Sequence, residues 1–328
     1  MLLPQTKLQA WKNNNSNYGL KEILYYWANT TRKKDFYCVP GVVKENFGRG
    51  EVELLVYSNR SYVWGDYLKR KLQSRENIHY GCSPFVYSHI MNDVKVKRDK
   101  NTFILPRSDS ATGLGDEKEI IQHIKTLINS IDNCQVYSYP LDKKYWEDHG
   151  VDAKIISEKI NDPTWQLKVD TVFRSSKRVY LPIVCSDVFY ASLCGCTINF
   201  YDCLDLYTKE SCPNIITNSY AKSELKNPFH IFDSLIRDIY DGQQNSSEIE
   251  YLNSKMLSLK NIQSREELNQ SLSRFDSPIR VKSCFDFEMC GSMIHDFQIE
   301  VNDQNIDQYR NYSSSDEIRE IDKILELI

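Results

Sequence analysis

The sequence predicts an α/β protein built on parallel sheets, and two observations support this prediction. Between residues 102 and 201, apolar segments of strand length alternate with segments of helical periodicity. This alternation is typical of parallel strands joined by helices that cover both faces of a sheet. The chain has 328 residues, of which 41% are hydrophobic and 26% charged, which suits two globular domains.

A small α/β unit is predicted before residue 99. Its segments are an amphipathic helix carrying Leu20, Ile23, Leu24 and Trp27, a strand at 52–57, a helix at 64–72 and a strand at 78–80. A loop is expected after this last strand, where the chain reads Gly81-Cys82-Ser83-Pro84.

The alternation is clearest in the middle of the chain. Strands are expected at 102–105, 134–137, 152–156, 179–184 and 197–201, and helices at 116–131, 143–149, 162–174 and 186–193. Gly150 and Gly195 stand where glycine caps a helix C-terminus. Asp162-Pro163 combines an N-cap with proline at the first helical position.

The chain beyond residue 225 is predicted to be mainly helical. Ser264 and Glu267 form the pattern of a capping box. The segment 316–328 carries one apolar stripe and is expected to dock on the body of the protein. These patterns predict an N-terminal α/β domain at 1–98, a Rossmann-like domain at 99–225 and a helical region at 226–328.

The composition argues against several classes of protein. The net charge of −4 gives no basic surface of the kind that nucleic-acid binders carry. The N-terminus lacks the regions of a signal peptide, and no stretch approaches the roughly 20 apolar residues that span a bilayer. We therefore expect a cytoplasmic protein, with at most peripheral contact with the inner membrane surface, whose cysteines are reduced thiols.

Three polar segments follow predicted strands. In an open parallel sheet, ligands bind beyond the carboxyl ends of the strands, near a change in strand order. The residues placed there are Arg107, Ser108, Asp109 and Ser110 in the first segment, Tyr139 and Pro140 in the second, and Cys185, Ser186 and Asp187 in the third.

The third segment leads into a predicted helix. A helix start carries free N–H groups and a partial positive charge, so it can bind a phosphate, and the Ser186 hydroxyl could add a contact. The alternative is that Ser186 or Asp187 serves only as the N-cap. Asp187 would repel a phosphate if its carboxylate pointed inward.

The first segment offers acid/base chemistry. Asp109 could act as a general base and Arg107 could bind a phosphate, although a polar loop after a strand can also be an ordinary solvated turn. His79 is a second candidate for acid/base catalysis, although a lone histidine is more often a packing or surface residue.

These residues resemble those of a known family. The stretch Ile78-His79-Tyr80-Gly81-Cys82-Ser83-Pro84-Phe85-Val86-Tyr87 resembles a strand and loop of bacterial surface-polysaccharide glycosyltransferases, of the capsule and lipopolysaccharide type, with the GT-B fold. Thr102–Ser110 is similar to the strand and Pro-x-x-Ser loop that follow in that family. Residues 172–195 are similar to its donor-phosphate strand, loop and helix. Together the resemblance covers about residues 50–275.

The resemblance implies a GT-B-like fold, with two Rossmann-like domains on parallel sheets and a helical C-terminal tail. The domain at 1–98 would face the acceptor and the domain at 99–225 would bind a nucleotide sugar. The implied reaction moves the sugar from this co-substrate to a glycan or lipid-linked acceptor, with no further cofactor and no metal. Asp202 would contact the ribose of the donor, and Arg174 could assist at the phosphate.

The sequence also departs from the family pattern. A histidine is expected after the 102–105 strand, where the chain reads Arg107-Ser108-Asp109, and a His-Gly pair is expected early, where it reads Pro40-Gly41. Either Asp109 takes the acid/base role or the role is lost. Two alternatives therefore stay open: a nucleotide-sugar 2-epimerase on the same architecture, and a non-catalytic module that binds a nucleotide or a glycan.

Overall fold

The computed structural model divides the chain into two compact units. It describes residues 17–30, 36–38, 61–65, 78–106, 118–201, 235–243, 246–273, 279–280 and 288–289. The first unit comprises Met1–Asp93, Ile160–Leu167 and Tyr251–Ser314, and the second comprises Val94–Lys159, Lys168–Glu250 and Ser315–Ile328. The domain bounds predicted above stay a prediction.

The helices and strands follow the predicted alternation. The helices are α1 (Leu20–Trp27), α2 (Pro84–Met91), α3 (Lys118–Asn129), α4 (Lys143–Asp148), α5 (Trp165–Ser175), α6 (Ser186–Leu193), α7 (Ser247–Met256) and α8 (Arg265–Ser273). The strands are β1 (Tyr37–Cys38), β2 (Ser61–Val63), β3 (Ile78–Tyr80), β4 (Lys100–Ile104), β5 (Cys134–Ser138), β6 (Lys154–Ile155), β7 (Ser176–Leu181), β8 (Thr197–Phe200), β9 (Ile279–Arg280) and β10 (Glu288–Met289).

Each unit contains a parallel sheet. In the first unit the strand order is β1-β2-β3, with both pairs parallel. In the second unit the order is β6-β5-β4-β7-β8, and all four pairs are parallel. Strands β9 and β10 form a separate antiparallel pair. The predicted α/β class, with parallel sheets, is confirmed.

One glutamine connects the elements of the first unit. The Gln263 carbonyl accepts a hydrogen bond from Trp27 Nε1 at 2.7 Å, and its backbone N–H donates to Tyr87 Oη at 3.2 Å. Its side chain lies 3.0 Å from His79 Nε2 through Oε1 and donates to Ser271 Oγ at 3.0 Å through Nε2. A half-buried amide is thereby satisfied while β3, α1, α2 and α8 are held together.

The core of the second unit forms between its sheet and helix α3. Ile120, Ile121 and Ile124 are buried on one stripe of α3, against Phe103 of β4 and Val136 of β5. This is the apolar stripe that the sequence predicts for that helix.

The helix ends predicted at Gly150, Gly195 and Ser264 are confirmed, whereas the start predicted at Asp162-Pro163 is wrong, because α5 begins at Trp165 after a turn in which the Thr164 N–H donates to Asp162 Oδ1 at 2.8 Å. Gly150 and Gly195 adopt left-handed backbone angles, with φ of 73° and 77°. The Ser264 N–H donates to the Glu267 carboxylate at 2.7 Å and the Glu267 N–H donates to Ser264 Oγ at 3.3 Å, which is a complete capping box. These ends follow from local chemistry, so a short stretch of sequence suffices to predict them.

Three details of the prediction are wrong. Strand β7 begins at Ser176, three residues before the predicted start, because α5 runs into it without a glycine or proline to mark the boundary. Trp64 and Gly65 are not helical, and the rest of the predicted 64–72 helix lies outside the described residues, as does the 52–57 strand. Helix α2 is missing from the prediction because almost all of its residues are buried, so no polar stripe reveals its period.

No helix in the described part of the chain is long and apolar enough to span a bilayer. The predicted helix at 316–328 and its docking lie outside the described residues.

We expect the stability of the protein to depend on the buried carboxyl of Glu22. This side chain is 3% exposed, and Oε2 has no hydrogen-bond partner in the described part of the chain. Burial raises the pKa of Glu22 from 4.5 to about 7, although a backbone hydrogen bond and Lys21 lower it. The folded state therefore binds the proton more tightly, and its advantage is full below pH 4.5 and lost as the pH rises through about 7.

Glu22→Gln should raise the free energy of unfolding at pH 8 by up to about 3 kcal/mol, with the gain shrinking toward pH 5. Urea unfolding at the two pH values measures this difference. Glu250→Gln, at an exposed position of α7, is the matched control and should show no such gain. A gain that is the same at both pH values would contradict the assignment.

Gly81→Ala should destabilise the first unit. A Cβ atom at this position would overlap the hydroxyl and ring of Tyr62, which is fully buried and donates from Oη to the Cys82 carbonyl at 2.8 Å. Because the ring cannot move without breaking that hydrogen bond, we expect a loss of about 1–3 kcal/mol in urea unfolding. In a Tyr62→Leu background the cost should fall, and an equal cost in both backgrounds would argue against the overlap.

Candidate functional site

The strand order of the second unit reverses at β4. From β4 the chain passes through α3 to β5 and then to β6, and it then returns to the other side of β4 to form β7 and β8. Right-handed crossovers in opposite directions place the helices after β4 and β7 on opposite faces of the sheet. The carboxyl ends of β4 and β7 therefore flank a crevice, which is where open parallel sheets bind their ligands.

The sheet brings two of the three predicted segments to this edge. Tyr139 and Pro140 follow β5, and Cys185, Ser186 and Asp187 follow β7, so they lie after the two strands that flank β4. The other predicted site residues in this part of the chain lie outside the described residues: Arg107, Ser108, Asp109, Ser110 and Asp202.

Helix α6 begins at the crevice. Cys185 is its N-cap, in an extended conformation and with no side-chain capping hydrogen bond, and Ser186 is the first helical residue. The N-cap is therefore neither Ser186 nor Asp187, and Asp187 lies in the first turn. Val188 and Phe189 are fully buried and anchor the helix, so its start is held in place at the end of β7.

The loop after β5 forms a second side of this edge. Ser138, the last residue of β5, is 6% exposed, and its hydroxyl has no hydrogen-bond partner in the described part of the chain. Leu141, in the 3₁₀ turn that follows, is 70% exposed, although large apolar side chains are mostly buried. A buried hydroxyl without a partner is uncommon, and a ligand at this edge could supply the missing hydrogen bond.

Arg237 is a residue of this edge that sequence reasoning misses. It lies in the helical residues 235–240, and its Nη2 donates to the Pro182 carbonyl at 3.1 Å. Its guanidinium also lies 4.9 Å from the centre of the Phe200 ring. Pro182 follows β7 and Phe200 ends β8, so this cation stands at the carboxyl ends of both strands. The apolar pattern of its helix does not predict the contact between Arg237 and Pro182, because the two residues lie 55 positions apart in the sequence.

Arg174 does not lie at the crevice, and the prediction that it assists there is wrong. It is one residue from the end of α5, directly before β7, so it lies at the amino edge of the sheet. Its Nε donates to Asp170 Oδ2 at 2.7 Å, which pairs its charge with a fully buried carboxylate. The two residues lie four positions apart on the helix, which is the spacing of an ordinary helical ion pair.

His79 lies in β3 of the first unit. Its Nε2 is 3.0 Å from Gln263 Oε1, and its ring lies 5.4 Å from that of Tyr62. These contacts give the imidazole a packing role. The catalytic role of His79 stays a prediction.

The six cysteines in the described part of the chain form no disulfide bond. Cys194 and Cys196 are buried, and burial raises the pKa of Cys194 well above its ordinary value and that of Cys196 to about 12. Both thiols stay protonated at neutral pH and are poor nucleophiles, so they act as small core residues.

The chain matches no family model and no curated protein sequence. A crystal structure of a TarM mutant from S. aureus, in complex with fondaparinux, alpha-GlcNAc-glycerol and UDP, is 14% identical with a TM-score of 0.32. The alignment covers 75% of this chain and 48% of TarM, so this chain corresponds to about half of that protein. A similarity this weak does not support an assignment of function.

We expect Ser138→Ala to leave the stability unchanged or to raise it by about 1 kcal/mol, because a buried hydroxyl without a partner is costly. Ser176→Ala is the matched control. Its hydroxyl is equally buried but lies 2.7 Å from both Thr102 Oγ1 and the Val172 carbonyl, so its removal should cost about 1 kcal/mol. Equal losses in urea unfolding would show that the Ser138 hydroxyl has a partner within the protein.

Proposed function

We propose that this protein is a glycosyltransferase that takes a sugar from a nucleotide-sugar donor bound at the crevice of the second unit. The observation that carries the proposal is the start of α6 at the topological switch between β4 and β7. Backbone N–H groups at a helix start attract a phosphate, and the crevice is the position that a nucleotide occupies in sheets of this kind. The resemblance of residues 50–275 to GT-B enzymes is consistent with it.

The donor phosphates would lie at the start of α6, where charge develops as the glycosidic bond breaks. The Ser186 N–H and hydroxyl would stabilise the departing phosphate, and Arg237 supplies a positive charge beside Pro182. Asp187 opposes this, because its carboxylate lies in the same first turn. We propose Asp109 as the base that deprotonates the acceptor hydroxyl and Asp202 as the contact to the ribose.

The acceptor would be a glycan or a lipid-linked glycan of surface-polysaccharide synthesis. No resident metal or other cofactor belongs to the proposal, because the helix start and the arginine supply the positive charge that the leaving group requires. The protein would work in the cytoplasm or at the inner membrane surface, where nucleotide sugars are available.

The site can be tested first by binding. A ligand that binds only the folded state raises the unfolding temperature, so a thermal-shift panel with CMP, UMP, UDP, GDP and dTDP should show a clear shift with one of them. Two substitutions at the same position separate the roles of Ser186. Ser186→Ala removes the hydroxyl alone, whereas Ser186→Pro also removes the N–H, at a helix position where proline is well tolerated.

We expect Ser186→Pro to weaken binding of that nucleotide about tenfold and Ser186→Ala to weaken it less, because the backbone N–H is the main contact. Arg237→Gln should also weaken it, and Asp187→Asn should strengthen it. Arg178→Gln removes an exposed charge from the start of β7 and is the matched control, without effect. If no nucleotide shifts the transition, the donor site is wrong.

Turnover then distinguishes the transferase from the alternatives. With the sugar form of the bound nucleotide and a glycan acceptor, the wild type should release the nucleotide, and Asp109→Asn should lower the rate while leaving nucleotide binding intact. Binding without release would support the non-catalytic module. Conversion of the nucleotide sugar without an acceptor would support the epimerase.

A further inference from the structure

The second unit has a cavity of about 640 Å³ on the face of its sheet that α3 covers. The side of α3 and the strands β4, β7 and β8 form its walls. Its lining includes Phe103, Tyr180, Asn199, Tyr201, Asp241 and His123. This face is opposite to the one on which α6 packs, so the cavity is distinct from the start of α6.

The floor of the cavity is aromatic. Phe103 pairs in register with Tyr180, and Tyr180 pairs with Asn199, so these three side chains lie in one row on one face. The Phe103 ring is stacked on Tyr201 with centres 4.4 Å apart and on Tyr180 with centres 6.1 Å apart. Phe103 and Tyr201 are buried, whereas Tyr180 is half-buried and leaves part of its ring accessible.

The polar atoms at this floor are hydrogen-bond acceptors. Asn199 Oδ1 is buried and has no hydrogen-bond partner in the described part of the chain. Asp241 is exposed, and its Oδ1 accepts a hydrogen bond from the Phe200 N–H at 2.9 Å, which holds the carboxylate at the rim. A ligand that satisfies these atoms must therefore donate hydrogen bonds.

We infer that this cavity is a glycan-binding site, independent of the proposed donor site and of the transfer reaction. A sugar ring has an apolar C–H face that packs on an aromatic ring, and its hydroxyl groups donate hydrogen bonds at the edge of that face. Hydroxyls would reach Asn199 Oδ1 and Asp241, while the ring would pack on Tyr180. The volume lies within the roughly 300–1,000 Å³ typical of small-ligand sites.

The same features disfavour a phosphorylated ligand. The lining residues that the structure describes include no lysine and no arginine, and His123 is their one basic side chain. The carboxylate of Asp241 would repel a phosphate. At the crevice the start of α6 presents N–H donors, whereas the cavity presents the acceptors Asn199 Oδ1 and Asp241 beside an aromatic floor. A nucleotide therefore belongs at the crevice and a glycan at the cavity.

Glycan binding can be tested by titrating the full chain with maltopentaose, cellopentaose and chitopentaose. Calorimetry and saturation-transfer NMR measure the binding. We expect one of them to bind, and Tyr180→Ala and Asn199→Leu each to weaken that binding by about tenfold or more. Tyr137→Ala is the matched control, because Tyr137 is a half-buried tyrosine on β5 whose side chain lies on the opposite face of the sheet. It should leave the affinity unchanged.

Three results would overturn the inference: no binding of any of these sugars at millimolar concentration, equal binding by the wild type and both cavity variants, or binding of adenosine or cytidine in place of the sugars that both cavity variants abolish. Circular dichroism of each variant shows whether it is folded. The nucleotide thermal-shift panel on Tyr180→Ala separates the two proposals, since this variant should keep its nucleotide response. If no glycan binds but a nucleotide still shifts the transition, the cavity proposal is wrong and the donor-site proposal stands. If no nucleotide shifts the transition of the wild type but a glycan binds, the donor-site proposal is wrong and the cavity proposal stands.

Discussion

The pairing of β4 with both β5 and β7 is the constraint on which the second unit depends. Because β4 is paired on each side, the chain must reverse direction across the sheet, and its helices then divide between the two faces. The crevice, the position of α6 and the open face beside α3 all follow from this reversal. Phe103 of β4, the central strand, is in register with Val136 on one side and Tyr180 on the other, so one buried ring supports both halves of the sheet.

Buried polar atoms are paired at some positions of the protein and unpaired at others. Thr102 pairs with Ser176 between β4 and β7, and Gln263 pairs with four neighbours in the first unit. Ser138 Oγ and Asn199 Oδ1, at the two candidate sites, and Glu22 Oε2, in the first unit, lack partners in the described part of the chain. A buried polar group without a partner costs free energy, and a ligand that hydrogen-bonds to Ser138 or Asn199 would remove that cost.

The sequence predicts most of the second unit and only part of its sites, for physical reasons that differ from residue to residue. Helix α6, the glycine caps and the Ser264 capping box depend on neighbours within four residues, so their signal is local. Helix α2 cannot be predicted from an apolar stripe because almost all of its residues are buried. The start of β7 cannot be predicted because no turn precedes it. Arg237 depends on a contact 55 residues away and the cavity on strand register, neither of which a single sequence contains.

The strand period lets one sheet present two environments of different polarity. Along β7, Val179 and Leu181 are fully buried, while Tyr180 between them is directed to the other face, into the aromatic cavity. The end of the same strand leads through Pro182 to the start of α6. The same strand therefore borders the start of α6 and Arg237 at its end and the acceptor Asn199 Oδ1 on its face. Because successive side chains of a strand lie on opposite faces, the two environments are separated by the thickness of the sheet. The charges of one environment therefore act only weakly on the other.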